Sequence, residues 1–214
     1  ALDDEQFEIQ HFTVDDEAAF EKAFEAKKAS DAKLFSDAQL DENFRTVMTK
    51  RANQEYGMIK QMRESAMIAK KMVGKPSPTF TYENHKGGTS SLSDFKGKYV
   101  YIDVWATWCG PCLAEIPHLQ KVEADYHDKN IVFVSISIDA KKDYEKWKNM
   151  VVQKQLGGVQ LFADNDWNSQ FVKDYGIDGI PRFILIGPDG KVIKADAARP
   201  SSASLTELLD NLVK

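Results

Sequence analysis

The sequence predicts an α/β domain over residues 74–214 behind a helical region over residues 1–73. Three observations carry this prediction. Short apolar runs rich in β-branched and aromatic residues alternate with helical patterns through the second segment, which indicates a sheet with helices on both faces. The first 73 residues hold one glycine and no proline, and Phe44, Val47, Met48, Ile59 and Met62 recur at helical spacing. Between the two, Gly74-Lys75-Pro76-Ser77-Pro78 breaks the helical pattern, because proline lacks a backbone donor and biases its predecessor toward extended geometry.

The bulk properties suit a globular chain. Of 214 residues, 43% are hydrophobic and 29% charged, so a sizeable core can be buried and neither a disordered nor a collagen-like chain fits. The net charge of −5 and the lack of a Lys/Arg-rich cluster argue against nucleic acid as a partner. No apolar run approaches the roughly 20 residues that span a bilayer. Ala1 is not followed by a basic flank and an apolar stretch, so any secretory signal is expected to have been removed. Charge is unevenly placed: residues 1–43 carry 13 acidic and 4 basic side chains, whereas 44–73 carry 2 and 7. Opposite charges of this kind suit an antiparallel helical hairpin, which either packs on the next domain or offers a dimer or partner surface.

Element by element, Phe7–Val14 alternates imperfectly as a short strand, and Thr13 or Asp15 is placed to cap a helix from Glu17. Ser36 and Gln39 have the capping-box spacing for a second helix. An extended stretch near Thr79–Tyr82 precedes a turn at Gly87-Gly88, and Tyr99–Trp105 reads as a buried strand with a helix after Cys109. The alternation continues with a strand at Ile131–Ile138, a helix within 141–155, a strand at Val159–Ala163, a helix within 167–175 and a strand at Phe183–Ile186. Asp189-Gly190 turns the chain into Lys191–Lys194, and Leu205–Val213 is an amphipathic helix.

The chemistry concentrates at Cys109 and Cys112, the only cysteines, in Trp108-Cys109-Gly110-Pro111-Cys112. Two cysteines exclude a disulfide scaffold and an all-thiolate zinc site. The four histidines, His11, His85, His118 and His127, have no ligand-like spacing to the pair, and Leu113 stands where covalent haem attachment needs histidine. No metal or other cofactor is therefore expected. A disulfide across so small a loop would stabilise the fold little and suits a redox couple better. The pair follows a strand and opens a helix, where unpaired backbone N–H groups stabilise a thiolate. Cys109 is accordingly expected to be the exposed nucleophile and Cys112, one turn on and more buried, the resolving thiol. Pro111 is compatible with the first helical turn.

The segment Asp103-Val104-Trp105-Ala106-Thr107-Trp108-Cys109-Gly110-Pro111-Cys112 resembles the active-site segment of the thioredoxin superfamily. Ser91 to Lys98 before it and Leu113-Ala114-Glu115-Ile116-Pro117 after it are similar to the TlpA/ResA-like thiol-disulfide oxidoreductases of bacterial cell envelopes. Tyr175-Gly176-Ile177-Asp178-Gly179-Ile180-Pro181-Arg182 resembles that family's second signature. The resemblance covers about 76–214 and leaves the first 73 residues outside. It implies a thioredoxin-like fold, a central mixed sheet flanked by helices, with a central βα insertion between Ile131 and Phe162. It also implies a cis bond before Pro181, which would expose the Ile180 backbone to a substrate chain.

Two carboxylates are candidates for proton handling on the same grounds. Asp103 matches the buried acid of thioredoxins proper, where TlpA/ResA-like members often carry Asn, and Glu115 matches a glutamate common in the latter. Burial is expected to raise the pKa of either, leaving it able to take the Cys112 proton; the alternative is a capped or salt-bridged carboxylate. Which of the two is the main base stays open. Trp108 is expected as an exposed substrate contact beside Gly110, Pro111, Ile180 and Pro181, Trp105 as core packing, and Pro117 as a bend in the helix.

The activity implied is exchange or reduction of disulfides in client proteins outside the cytoplasm, recharged by a membrane thiol reductant. No cationic residue lies between the thiols, which favours the reducing direction. Two other classes stand beside it. A peroxiredoxin-type peroxidase would place its threonine three residues before the nucleophile, whereas Thr107 is two before, and its resolving cysteine is usually distant. A binding or assembly protein would use the fold as a scaffold, with the N-terminal helices forming a homodimer.

Overall fold

A computed structural model describes residues 17–37 and 40–213. The strand expected over Phe7–Val14 and the caps at Thr13 and Asp15 lie outside the described residues, as does Gln39. The chain forms two compact units, the first ending at Met67 and the second beginning at Ile68.

In the first unit α1 (Glu17–Phe35) and α2 (Glu42–Met72), which continues into the second unit, pair antiparallel. Phe20, Phe24 and Ile59 are buried at their contact, with Ala23 and Tyr56 packed against them. Ion pairs Glu17–Arg63 and Lys27–Glu55 at 3.6 and 3.0 Å, and a hydrogen bond from the Tyr56 hydroxyl to Asp31 at 2.6 Å, fix the register. The cap of α2 differs from the expected Ser36: Asp41 Oδ1 accepts from the backbone N–H of Asn43 and Phe44 at 2.9 and 3.1 Å. Ser36 instead donates to the carbonyl of Lys33, because it sits just past the end of α1. Asp41 stands immediately before the helix, where a short acceptor reaches the unpaired first-turn donors.

In the second unit one seven-stranded sheet has the order β2-β1-β5-β4-β3-β6-β7. The strands are β1 (Thr81–Asn84), β2 (Thr89–Ser91), β3 (Tyr99–Trp105), β4 (Ile131–Ser137), β5 (Val159–Phe162), β6 (Arg182–Ile186) and β7 (Val192–Lys194). Strands β3, β4 and β5 are parallel neighbours, and every other pairing is antiparallel, so the sheet is mixed. The helices are α3 (Gly110–Asp125), α4 (Tyr144–Gln153), α5 (Gln170–Asp174) and α6 (Ala203–Leu212). The hairpin strand β2 and the 3-10 turn Leu92–Phe95 were not legible as elements, being too short to show a period.

The two faces of β3 carry two cores. Val100, Ile102 and Val104 join Trp147, Val151, Phe171 and Tyr175 on the side of α4 and α5. Tyr101 joins Phe133, Phe183, Leu119, Val122, Leu205 and Leu209 on the side of α3 and α6. Alternation along a strand buried on both faces produces this division, and it places Asp103 under α3. The α4–β5 unit between β4 and the α5 segment is the expected βα insertion. Helix α3 runs unbroken through Pro117. Ile68, Ala69 and Met72 at the end of α2 pack in the second unit, with Ile68 lying so close to Gly176 that a Cβ there would stand 2.9 Å from its Cδ1. Gly176 also has φ +59, a second reason for glycine at that turn.

Candidate active site

Strand β3 runs six apolar-flanked residues into Trp105, then the chain leaves the sheet and Cys109 caps α3 with extended backbone, φ −84 and ψ 98. Cys109 and Cys112 form a disulfide. The Cys112 backbone N–H donates to Cys109 Sγ at 3.2 Å, so the first sulfur occupies the acceptor position of the helix cap. Pro111 lies in the first turn, where its missing N–H costs no helical bond. A Cβ on Gly110 would meet nothing within 4 Å, which leaves the surface beside the sulfurs open.

The Ile180–Pro181 bond is cis, and the Ile180 carbonyl oxygen lies 3.8 Å from Cys109 Sγ. The second signature and the dithiol, 71 residues apart, therefore meet at the first sulfur. Trp108 is half exposed, and its ring lies 6.4 Å from that of Trp167, a residue that only the fold brings to this edge. Trp105 is buried, as expected of core packing.

One expectation is corrected. Cys109 is not exposed in the oxidised protein: it is 4% accessible and Cys112 3%, so burial does not distinguish them. The disulfide folds Cys109 Sγ back onto the helix start while the Ile180 carbonyl closes over it. The asymmetry between the sulfurs is one of donors: only Cys109 receives the helical N–H.

The structure separates the two candidate acids. Asp103 is buried, its pKa pushed up to about 8 by loss of solvation, with the Glu123 and Glu115 carboxylates adding to the rise and a Ser135 hydrogen bond opposing it. Glu115 is also buried, but both of its oxygens are engaged: Oε2 accepts from the Ser201 N–H at 3.0 Å and Oε1 from the Ser201 hydroxyl at 2.9 Å. It ties α3 to the segment preceding α6.

Asp139 was missed in the sequence. It is fully buried at the end of β4 and accepts from the Thr107 N–H at 2.9 Å, the Thr107 hydroxyl at 2.7 Å and the Ser137 hydroxyl at 2.7 Å. It pins the residue two positions before Cys109. A signal existed, since a lone Asp closing the apolar run Ile131–Ile138 needs donors, but its partner Thr107 lies 32 residues away. Asp139→Ala strands three buried donors, each of which costs about 1–3 kcal/mol when unpaired. It is expected to destabilise the protein by about 3 kcal/mol or more and to speed alkylation of reduced Cys109, read by urea unfolding and iodoacetamide labelling.

Among the described residues no helix is long and apolar enough to cross a membrane. Comparison with known proteins then places the chain. A profile of the Redoxin family matches residues 72–209. The thiol-disulfide oxidoreductase ResA of Bacillus thuringiensis subsp. konkukian is 32% identical over 140 residues, which is 65% of this chain and 78% of that protein. Among solved structures, a Bacteroides vulgatus protein described as a thiol-disulfide oxidoreductase shares 49% identity at a TM-score of 0.57, covering 65% of this chain and 90% of that one. The thioredoxin domain of another Bacteroides vulgatus thiol-disulfide oxidoreductase shares 30% identity at a TM-score of 0.60, covering 66% and 98%. With the dithiol capping α3 and the cis-proline loop closing on it, the chain belongs to the Redoxin family and is a thioredoxin-like thiol-disulfide oxidoreductase related to ResA.

Proposed function

We propose that the protein reduces or exchanges disulfides in client proteins of the cell envelope, through a mixed disulfide on Cys109. The observation that carries this reading is the first sulfur at the start of α3, accepting the Cys112 N–H and facing the Ile180 carbonyl. In the reduced protein the same N–H and the helix dipole favour the Cys109 thiolate. That thiolate attacks one sulfur of a client disulfide, and the other client sulfur leaves as a thiolate. Asp103 in its carboxylate form takes the proton of Cys112, which attacks Cys109; the bond between Cys109 and the client breaks, and the Cys109–Cys112 disulfide returns. Two electrons pass to the client, and a membrane thiol reductant restores the dithiol.

Asp103 is the better proton acceptor in this scheme, because burial keeps its affinity for a proton near neutral pH, while Glu115 is occupied with Ser201. The client chain lies against Trp108, Gly110 and Pro111 and pairs with the Ile180 backbone beside Pro181; Trp167 extends the aromatic surface. Residues 74–214 form the catalytic domain, and the N-terminal region, residues 1–73, supplies a homodimer surface: Phe44, Val47, Met58 and Met62 of α2 stand exposed.

Equilibration with glutathione redox buffers tests the direction. A potential nearer the thioredoxin value of about −270 mV than the value of about −120 mV typical of a strong oxidant is expected, and one near the latter overturns the reductase reading. Consumption of hydrogen peroxide by the reduced protein at a rate matching disulfide exchange would overturn it in favour of a peroxidase.

A further inference from the structure

Three strands place a polar row beneath α3. Asp103 on β3 is in register with Ser135 on β4, and Ser135 with Gln160 on β5, so the three side chains lie side by side on one face. Above them α3 presents Ile116, Leu119, Gln120 and Glu123, at the spacing of one helix face. These residues enclose a small cavity that Trp105 and Gly157 also line. It offers about 10 Å³ to the centre of a water, the space of a single molecule.

Polar groups of Asp103, Gln120, Glu123, Ser135 and Gln160 meet at this cavity, and the pairing around it is incomplete. The Trp105 indole N–H and the Gln160 side-chain oxygen Oε1 are buried without a protein partner. Buried donors and acceptors of this kind are ordinarily satisfied, and one water with two to four polar neighbours does it. The Glu123 carboxylate is held at the cavity by glycine: a Cβ on Gly157 would stand 2.3 Å from its Oε2, and one on Gly158 3.0 Å from its Oε1. Only a Gly-Gly turn leaves the carboxylate this room. Glu123 is half-buried, so it touches both the interior and solvent.

We propose that Glu123 is a proton-relay residue, exchanging protons between Asp103 and bulk solvent through one water held in this cavity. The inference rests on the role of Asp103 given above. Asp103, held neutral by burial, first hands its proton to the water, the water hands one to Glu123, and Glu123 releases it outside; the Asp103 carboxylate so formed takes the Cys112 proton as Cys112 is oxidised. Reduction of the disulfide runs the same transfers backward. No base is consumed, and no group is left with a changed charge after the cycle. Burial lifts Glu123 to about 7, within about one unit of Asp103, so transfer between them is nearly balanced. The groups that act on Asp103 are Glu123 and Glu115 from α3, Tyr101 on its own strand and Ser135 on β4, with neutral Gln160 beyond; among the described residues no lysine, arginine or histidine lines the cavity.

Single-turnover oxidation of the reduced protein across pH 5–9 tests this, with Glu123→Gln, Asp103→Asn and the double variant compared beside carboxyl-carbon NMR titration of Asp103. Glu123→Gln is expected to slow the resolving step about tenfold, to lower the Asp103 titration point by removing a like charge, and to add no further loss in the Asp103→Asn background. Gly157→Ala, which displaces the carboxylate without removing it, should move the rate in the same direction. Equal slowing by Glu123→Gln in both backgrounds, or an Asp103 titration that does not move, overturns the relay alone. An Asp103→Asn variant with unchanged rate and pH profile overturns the role of Asp103, and the relay with it.

Discussion

Cys112→Ser is expected to accumulate mixed disulfides with client proteins, all joined through Cys109. The substitution keeps the helix start and the N–H that stabilises Cys109, but it removes the sulfur that would expel the client. Attack then proceeds and release does not, so adducts persist on non-reducing gels and disappear with dithiothreitol. Cys109→Ser should capture nothing, because the remaining thiol lies a turn inside the helix and receives no capping donor. Disulfide exchange should fall by at least about a hundredfold in either variant. Adducts forming through Cys112 in the Cys109→Ser protein at comparable yield would reverse the assignment of nucleophile and resolving thiol.

Asp103→Asn is expected to make the protein more stable and less active together. A carboxyl titrating near 8 in the folded state and near 4 when unfolded binds more protons folded than unfolded between those values. Stability therefore falls as pH rises from about 4 to about 8, and the full penalty is present above the folded value. Each unit corresponds to about 1.4 kcal/mol, and relaxation around the site reduces the sum, so a gain of about 2–5 kcal/mol is expected at pH 8.5. At pH 5 it should shrink to less than about 2 kcal/mol. Urea unfolding of the oxidised protein at the two pH values measures it. A difference that stays constant with pH would mean that Asp103 is not buried as a neutral acid.

A group retained despite such a cost points to chemistry. Its neighbours sharpen the point: Ser135 supplies one hydrogen bond, while Glu123 and Glu115 add charge of the same sign. The arrangement holds a proton in the protein near neutral pH.

Apart from β2 and the turn after it, the order of elements in the second unit was legible, because the other strands are short runs bounded by turns and the helices follow their own period. Tyr99–Trp105 came out at the observed bounds, since both ends are marked, by Gly97-Lys98 and by the dithiol segment. The Asp41 cap was missed because two plausible caps stand five residues apart in one polar stretch, and the backbone that decides between them is not written locally.

By itself, the sequence determined the α/β class and the dithiol at a helix start, because spacing and turn chemistry are local properties of the chain, while the loop that faces the dithiol was implied only by the resemblance to the TlpA/ResA-like proteins. Tertiary structure alone decided that Cys109 is as buried as Cys112 when oxidised, that Asp139 reaches back to Thr107, and that Glu123 shares a cavity with Asp103. These are contacts across strands, or between a helix and the sheet beneath it. Burial and proton affinity depend on what the rest of the chain places around a side chain, and no local pattern carries that.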